Sequence, residues 1–241
     1  GLVARARDAG ARIVGGTRVR SIARRAGNGA GHHVTAELGD GATHEIEAAE
    51  VVVCTNAYAD DAMPELARRV LPVGSFIIAT EVLDGELARS VSPRGRMLVD
   101  SKNFLFYWRL TPDRRVLFGG RRSLARSSLA QAREFLYEAM VAVHPQLAGV
   151  GVARAWGGDV AITRDRLPHV GRIDGAWYAT GCNGSGVALN TWMGVRIGRH
   201  SIFLPMLLKP RAAHTLALLW HAAHPGGARS VLLARPGALS I

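Results

Sequence analysis

The stretch Gly181-Cys182-Asn183-Gly184-Ser185-Gly186 decides how the rest of the chain is read. Just before it stands Ala176-Trp177-Tyr178-Ala179-Thr180, a short apolar run of strand type. Just after it, Val187, Leu189, Met193 and Ile197 recur roughly at helical spacing. The glycines therefore sit where a strand turns directly into a helix. Glycine accepts positive φ and lets the backbone come close to a ligand. A helix N-terminus adds unpaired N–H groups and about half a positive charge. The combination suits an electron-rich or anionic group. The same residues would serve equally as a tight turn without a ligand, because glycine spacing alone is a weak signal.

Upstream lies Thr163-Arg164-Asp165-Arg166-Leu167-Pro168-His169-Val170-Gly171. With this segment and the glycine turn in order, the chain resembles the C-terminal part of the FAD-dependent oxidoreductases of the D-amino-acid oxidase superfamily. That group includes glycine, sarcosine and γ-glutamylputrescine oxidases. In it a T-x-D-x-x-P-x-x-G segment leads through a strand to G-x-x-G-x-G and a helix. Two further segments agree, Val51-Val52-Val53-Cys54-Thr55-Asn56-Ala57-Tyr58 and Leu117-Phe118-Gly119-Gly120-Arg121. The resemblance covers residues 1–200 and stops near His200.

A length of 241 residues fits one large domain or two small ones, and 48% hydrophobic residues suffice for a core. No apolar run is long enough to span a membrane. The first residues have no signal-peptide pattern and read as entry into the middle of a helix. Two cysteines are too few for a disulfide framework, so a reducing cytoplasm is expected. The net charge of +11 invites a nucleic-acid partner. However, all but Lys102 and Lys209 of the 30 basic residues are arginines, scattered and without interleaved aromatics. A compositional preference for Arg and Ala explains that better. With no HExxH or CxxC pattern, no metal site is expected.

The pattern predicts an α/β (α+β) chain. Leu2, Val3, Ala6 and Ala9 suggest the end of an amphipathic helix stopped by Gly10. Short strands follow at 11–14 and 17–22, and 27–31 is a Gly-rich loop. A hairpin spans 33–38 and 42–47 around Gly39-Asp40-Gly41. Val51-Val52-Val53-Cys54 reads as a strand buried on both faces. It ends at Thr55-Asn56-Ala57, where a doubly wound sheet places its ligand crevice. Strands are expected at 73–82, 97–99, 104–110 and 116–119, and a helix on Leu129, Ala132, Leu136, Ala139, Met140 and Val143, ended by Pro145. Segment 202–208 is apolar but broken at Pro205. Segment 214–221 has the pattern of a short helix. The Gly/Pro/Arg-rich end, 225–241, is given no structure.

The resemblance implies an organisation. Residues 1–72 would be part of a doubly wound FAD-binding domain, with 73–155 an inserted antiparallel-sheet substrate domain. Residues 156–200 would return to the FAD domain, and 201–241 would be an atypical tail, with disorder the expectation there. It implies FAD held without a covalent bond, since 156–162 lacks the cysteine that some sarcosine oxidases use. Val19, Thr55, Asn56, Ala57, Gly181, Asn183, Gly184, Ser185, Gly186, Val187 and Ala188 would meet the cofactor. The backbone of Gly184, Ser185 and Gly186 would stabilise negative charge developing near the flavin N1 and C2 carbonyl. Ser185 stands where many relatives have His.

Tyr107, Arg121 and Trp156 would contact a small amine or amino-acid substrate. Arginine clamps carboxylates bidentately. Arg109 shares a strand face with Tyr107 by its spacing. Asp165 is read as fixing a turn and His169 as structural. The family's G-x-G-x-x-G strand and its acidic partner are absent, so a missing N-terminal segment is expected to be required for activity. The alternative is a non-catalytic flavoprotein fragment or a basic interaction module.

Overall fold

A computed structural model describes residues 1–26, 31–121 and 127–199 in full, and the backbone of 200–208, 215–221 and 229–234. The chain divides into two compact units, residues 1–72 with 160–241, and residues 73–159.

The first unit begins with α1 (Leu2–Asp8) and β1 (Arg12–Val14). An antiparallel sheet of three strands follows: β2 (Arg18–Arg24), β3 (His32–Glu37) and β4 (Thr43–Ala48). Then come β5 (Glu50–Cys54) and the short α2 (Pro64–Ala67). Leu2 and Val3 do not form a buried stripe; both are exposed, and α1 buries no residue. The second unit is entered by β6 (Val70–Thr80), α3 (Gly85–Val91), β7 (Leu98–Val99), β8 (Tyr107–Leu110) and β9 (Val116–Gly120). It is completed by α4 (Leu129–Val143) and β10 (Val152–Thr163). The chain then forms β11 (His169–Ile173), β12 (Ala176–Thr180) and α5 (Gly186–Leu208).

The tail supplies β13 (Thr215–His221) and β14 (Arg229–Ala234). The segment read as a short helix is therefore a strand, and the end carries a second strand where none was expected. Backbone pairing across the sheet overrides the local helical pattern. α5 also continues past the break read at Pro205. Residues 27–30 of the Gly-rich loop, and 209–214, 222–228 and 235–241 of the tail, lie outside the described residues.

In the first unit a six-stranded sheet runs in the order β1-β14-β13-β5-β12-β11. β5 is its axis and pairs parallel with β12 (Trp177↔Val52, Tyr178↔Val53) and with β13. Successive side chains of a strand point to opposite faces, which explains why β5 is apolar throughout. Val51 and Val53 pack with Val19, Val34, Ile46 and Tyr178. Val52 faces the other way, into a cluster with Ala179, Met193 and Ile197 of α5. Each fully buried side chain of this size contributes about 1.5–3 kcal/mol.

The second unit is a five-stranded sheet, β10-β6-β9-β8-β7, with α3 and α4. One sheet face carries Ile78, Val116 and Phe118, buried with Leu136 and Met140 of α4. α4 starts in a capping box: Ser128 Oγ accepts from Gln131 N (3.2 Å), and Gln131 Oε1 accepts from Ser128 N (3.1 Å). The other face carries Tyr107, whose ring lies where a Cβ on Gly119 would stand, 2.4 Å from it.

Leu136→Ala is expected to cost about 2–5 kcal/mol by leaving a cavity under α4. Ser128→Ala, which removes only the cap, should cost about 1 kcal/mol. Urea unfolding of the full chain, followed by circular dichroism, should rank the two midpoints in that order.

Candidate functional site

The parallel pairing of β5 and β12 brings their C-terminal ends side by side. Beyond β5 come Thr55 and Asn56, and beyond β12 the turn 181–185. Both exits take the left-handed region at an asparagine, Asn56 at φ 51° and Asn183 at φ 50°. Gly181 and Gly184 have φ 74° and 97°. These are conformations that Gly and Asn adopt at least cost. Gly181 is also held for packing, since a Cβ there would meet Thr163 Cγ2 at 2.5 Å. Asn183 Nδ2 donates to Gly181 O (2.7 Å), and Thr180 Oγ1 donates to Asn56 O (3.4 Å), tying one exit to the other.

Within the turn, Ser185 N donates to Cys182 O (2.9 Å), so that amide is spent. Leu189 N donates to Ser185 O, the first bond of the helical ladder. Among the described residues no acceptor takes the amides of Gly186, Val187 or Ala188, the open first turn of α5. Val187 is 93% exposed and Ala188 is exposed too, so this turn lies at the surface. Three buried side-chain oxygens nearby have no hydrogen-bond partner: Thr55 Oγ1, Asn56 Oδ1 and Asn183 Oδ1. Buried polar atoms are normally satisfied, so a cluster of three marks a place built for something polar. A polar, electron-rich ligand set against the helix start fits this arrangement.

Other sequence-selected residues lie elsewhere. Ala57 is buried in a small cluster with Val70 and Ala161. Val19 is in the core between the two sheets of its unit, so only its main chain remains for a ligand. Tyr107, Arg121 and Trp156 belong to the second unit. Tyr107 Oη stands 3.3 Å from Ser75 Oγ, and Arg121 follows β9 in the alternation of Leu117 and Gly119. Trp156 lines a separate cavity with Ala79 and Leu117.

The sequence did not single out a cavity of about 590 Å³ beside the strand exits, lined by Arg69, Thr163, Asp165, His169, Tyr178 and Thr180. Its signal was the parity of 176, 178 and 180 along β12. Asp165 Oδ1 accepts from His169 Nε2 (2.9 Å) and from Leu167 N (3.0 Å). These two donors hold its carboxyl down at about 2, the imidazole contributing most. Cys54 packs against the α5 cluster, and burial pushes its thiol up to about 11, keeping it neutral. Among the described residues no group of His, Cys, Asp and Glu could hold a metal ion, and no helix is long and apolar enough to cross a membrane.

Comparison with known proteins gives this geometry a setting. The family model described as "DAO: FAD dependent oxidoreductase" matches residues 1–199. The "Gamma-glutamylputrescine oxidoreductase" of Escherichia coli (strain K12) is 35% identical over 157 residues, 64% of this chain and 37% of that protein. The "Probable oxidoreductase OrdL" of Rhizobium meliloti (strain 1021) is 31% identical over 231 residues, 95% of this chain and 50% of that protein. The family match thus ends near His200, where the resemblance is expected to stop, while the latter pairwise match extends into the tail. The crystal structure of iminodiacetate oxidase from Chelativorans sp. BNC1 shares the fold at a TM-score of 0.57 and 20% identity, over 77% of this chain and 50% of that one. The chain thus spans half or less of the length of these curated relatives.

The carboxyl of Asp165 lies below its usual 3.8, so its favourable bonds are complete above that value and are lost as pH falls through about 2. Carbon-detected NMR titration should place it near 2. Asp165→Asn should remove the difference in proton uptake between folded and unfolded chain in that window.

Proposed function

The chain belongs to the family of FAD-dependent oxidoreductases, and from that premise we infer that it is the portion of an amine or amino-acid oxidase that faces the flavin and handles substrate. The observation that supports this most is the juxtaposition of the open α5 amides with three unsatisfied oxygens at the ends of β5 and β12. Bound FAD would supply the redox chemistry, taking a hydride from the carbon that carries the nitrogen. The residues present fit such a group. Gly186, Val187 and Ala188 would donate amides to its electron-rich edge, with Gly184 giving the close approach. Thr55, Asn56 and Asn183 would close its polar contacts. No cysteine occurs in 156–162, in keeping with non-covalent binding.

In this reading the first unit, 1–72 with the return from 160 onward, serves the cofactor, and the second, 73–159, serves the substrate. Tyr107, Arg121 and Trp156 share one sheet face by strand alternation and would contact an amine or amino acid there. Arg121 would take a carboxylate in a bidentate pair. Oxidation would require the remainder of the family fold, which this chain does not span. The cytoplasm is the compartment proposed, on the cysteine count.

Equilibrium dialysis of the full chain against FAD, alone and mixed with the complementary half of a full-length relative, tests this. Retained flavin with its absorbance band is expected in at least the mixed state. Gly184→Val, which places a branched side chain at φ 97°, should weaken retention at least about tenfold. No retained flavin in either state would overturn the reading.

A further inference from the structure

The cavity of about 590 Å³ beside the exit of β12 lies on the sheet face turned away from α5. Strand alternation sets that side. Tyr178 packs with Val51 and Val53, while its neighbour Ala179 faces Met193 and Ile197 of α5. The floor is Leu66, fully buried, and the Tyr178 ring. The Tyr178 hydroxyl lies over the cross-strand partner Gly171, 2.9 Å from where a Cβ would stand. Tyr178 is only 8% exposed, yet its hydroxyl has no hydrogen-bond partner among the described residues. A tyrosine O–H so deep in a protein usually finds one. This one is a donor left open to the cavity.

The other polar groups of the wall divide into spent and unspent. Asp165 accepts from His169 Nε2 (2.9 Å) and Leu167 N (3.0 Å). Arg69 pairs with Glu65. Thr163 Oγ1 donates to Leu167 O (2.8 Å) and Thr180 Oγ1 to Asn56 O (3.4 Å), so both hydroxyl protons are used. Arg68, just past α2, and Arg164, just past β10, are different. Both line the cavity, both are exposed, and neither makes an ion pair among the described residues. Two free guanidiniums and one free phenol therefore share a cavity with an apolar floor.

We propose that this cavity binds the phosphate monoester of a small organic molecule. Three unspent donor groups call for an acceptor with several oxygens. A phosphate monoester has three terminal oxygens and a charge of about −1.5 to −2, whereas a carboxylate has two oxygens and a single charge. Arg68, Arg69 and Arg164 outnumber Glu65 and Asp165, so the wall is net positive and disfavours a cation. Hydrogen bonds from guanidinium to phosphate are about twice as strong as those between neutral groups. The volume falls within the range of about 300–1,000 Å³ usual for small-molecule pockets, and Leu66 with the Tyr178 ring offers apolar surface to an organic body. The site rests on this cavity alone. It needs no flavin and stands whether or not the oxidase reading does.

Isothermal titration calorimetry of the full chain, with phenyl phosphate as the probe, tests this. Saturable binding is expected, with benzoate and inorganic phosphate at least about tenfold weaker and benzylamine inert. Arg68→Ala and Arg164→Ala should each weaken phenyl phosphate at least about tenfold, and Tyr178→Phe, which removes only the hydroxyl, about fivefold. Arg172→Ala takes an equal charge from the other face of β11, where the guanidinium lies over Trp177, and should bind as the parent does. Unchanged amide dispersion in ¹H–¹⁵N spectra identifies variants that remain folded. A saturating excess of FAD should leave the affinity for phenyl phosphate unchanged. The proposal is overturned if benzoate or inorganic phosphate matches phenyl phosphate, or if Arg68→Ala or Arg164→Ala binds it like the parent. Displacement of the probe by FAD would also overturn it, by making the cavity a seat for the cofactor's own phosphates.

Discussion

The parallel pairing of β5 with β12 is the constraint on which the first unit depends. Both strands run out at the same edge, so two chain exits more than a hundred residues apart in sequence must turn away side by side. The apolar clusters on either face fix the strands: Val51 and Val53 on one side, Val52 with Met193 and Ile197 on the other. A shift of one residue would exchange those sets between faces. Register and exit geometry are thus the same fact. The glycines and asparagines of the exits follow from it, because only they turn so sharply at low cost.

Much of this was legible because the signals were local. The hydrophobic run of β5, the alternation of β2 and the Asp-Gly turn between β3 and β4 each state their own structure within a few residues. So does the stripe of α4, with Ala132, Leu136 and Met140 all buried. What escaped was set by distant partners. β10 is a twelve-residue strand, yet Gly157 and Gly158 in its middle carry no strand signal of their own. The reason lies across the sheet, where the Phe76 ring occupies the space a Gly157 Cβ would take, 2.3 Å away. β13 likewise has helix-compatible spacing and becomes a strand because β5 and β14 offer it backbone partners on both sides.

The strand exits were found from the sequence, but the division of labour among their amides was not. The resemblance pointed to the whole run from Gly184 to Ala188. The structure separates Ser185, whose amide closes the turn onto Cys182, from the three that follow and stay open. No pattern in single residues announces which N–H a turn consumes. The missing information is the φ of Asn183, which sets the turn's direction before the helix begins.

Unsatisfied buried atoms occur elsewhere, so their number alone would not identify a site. Trp108 Nε1 and His144 Nε2 belong to rings in edge contact, with centroids 5.5 Å apart. The Trp177 ring has the Arg172 guanidinium over it at 4.1 Å. His32, with Nδ1 unsatisfied, engages Asp174 O through Nε2 at 3.1 Å. The two tryptophans and His144 thus have an aromatic explanation within the folded chain, while His32 Nδ1 has none. Thr55, Asn56 and Asn183 have none either, although two of them already spend other polar atoms in fixing the exits. They also sit at the end of a sheet rather than within a packed layer, beside amides that are likewise unspent. Acceptors and donors left open together, on backbone that is strained to present them, are what a site for a ligand with both edges polar requires. A turn serving only to join β12 to α5 would have had no reason to leave both unpaired.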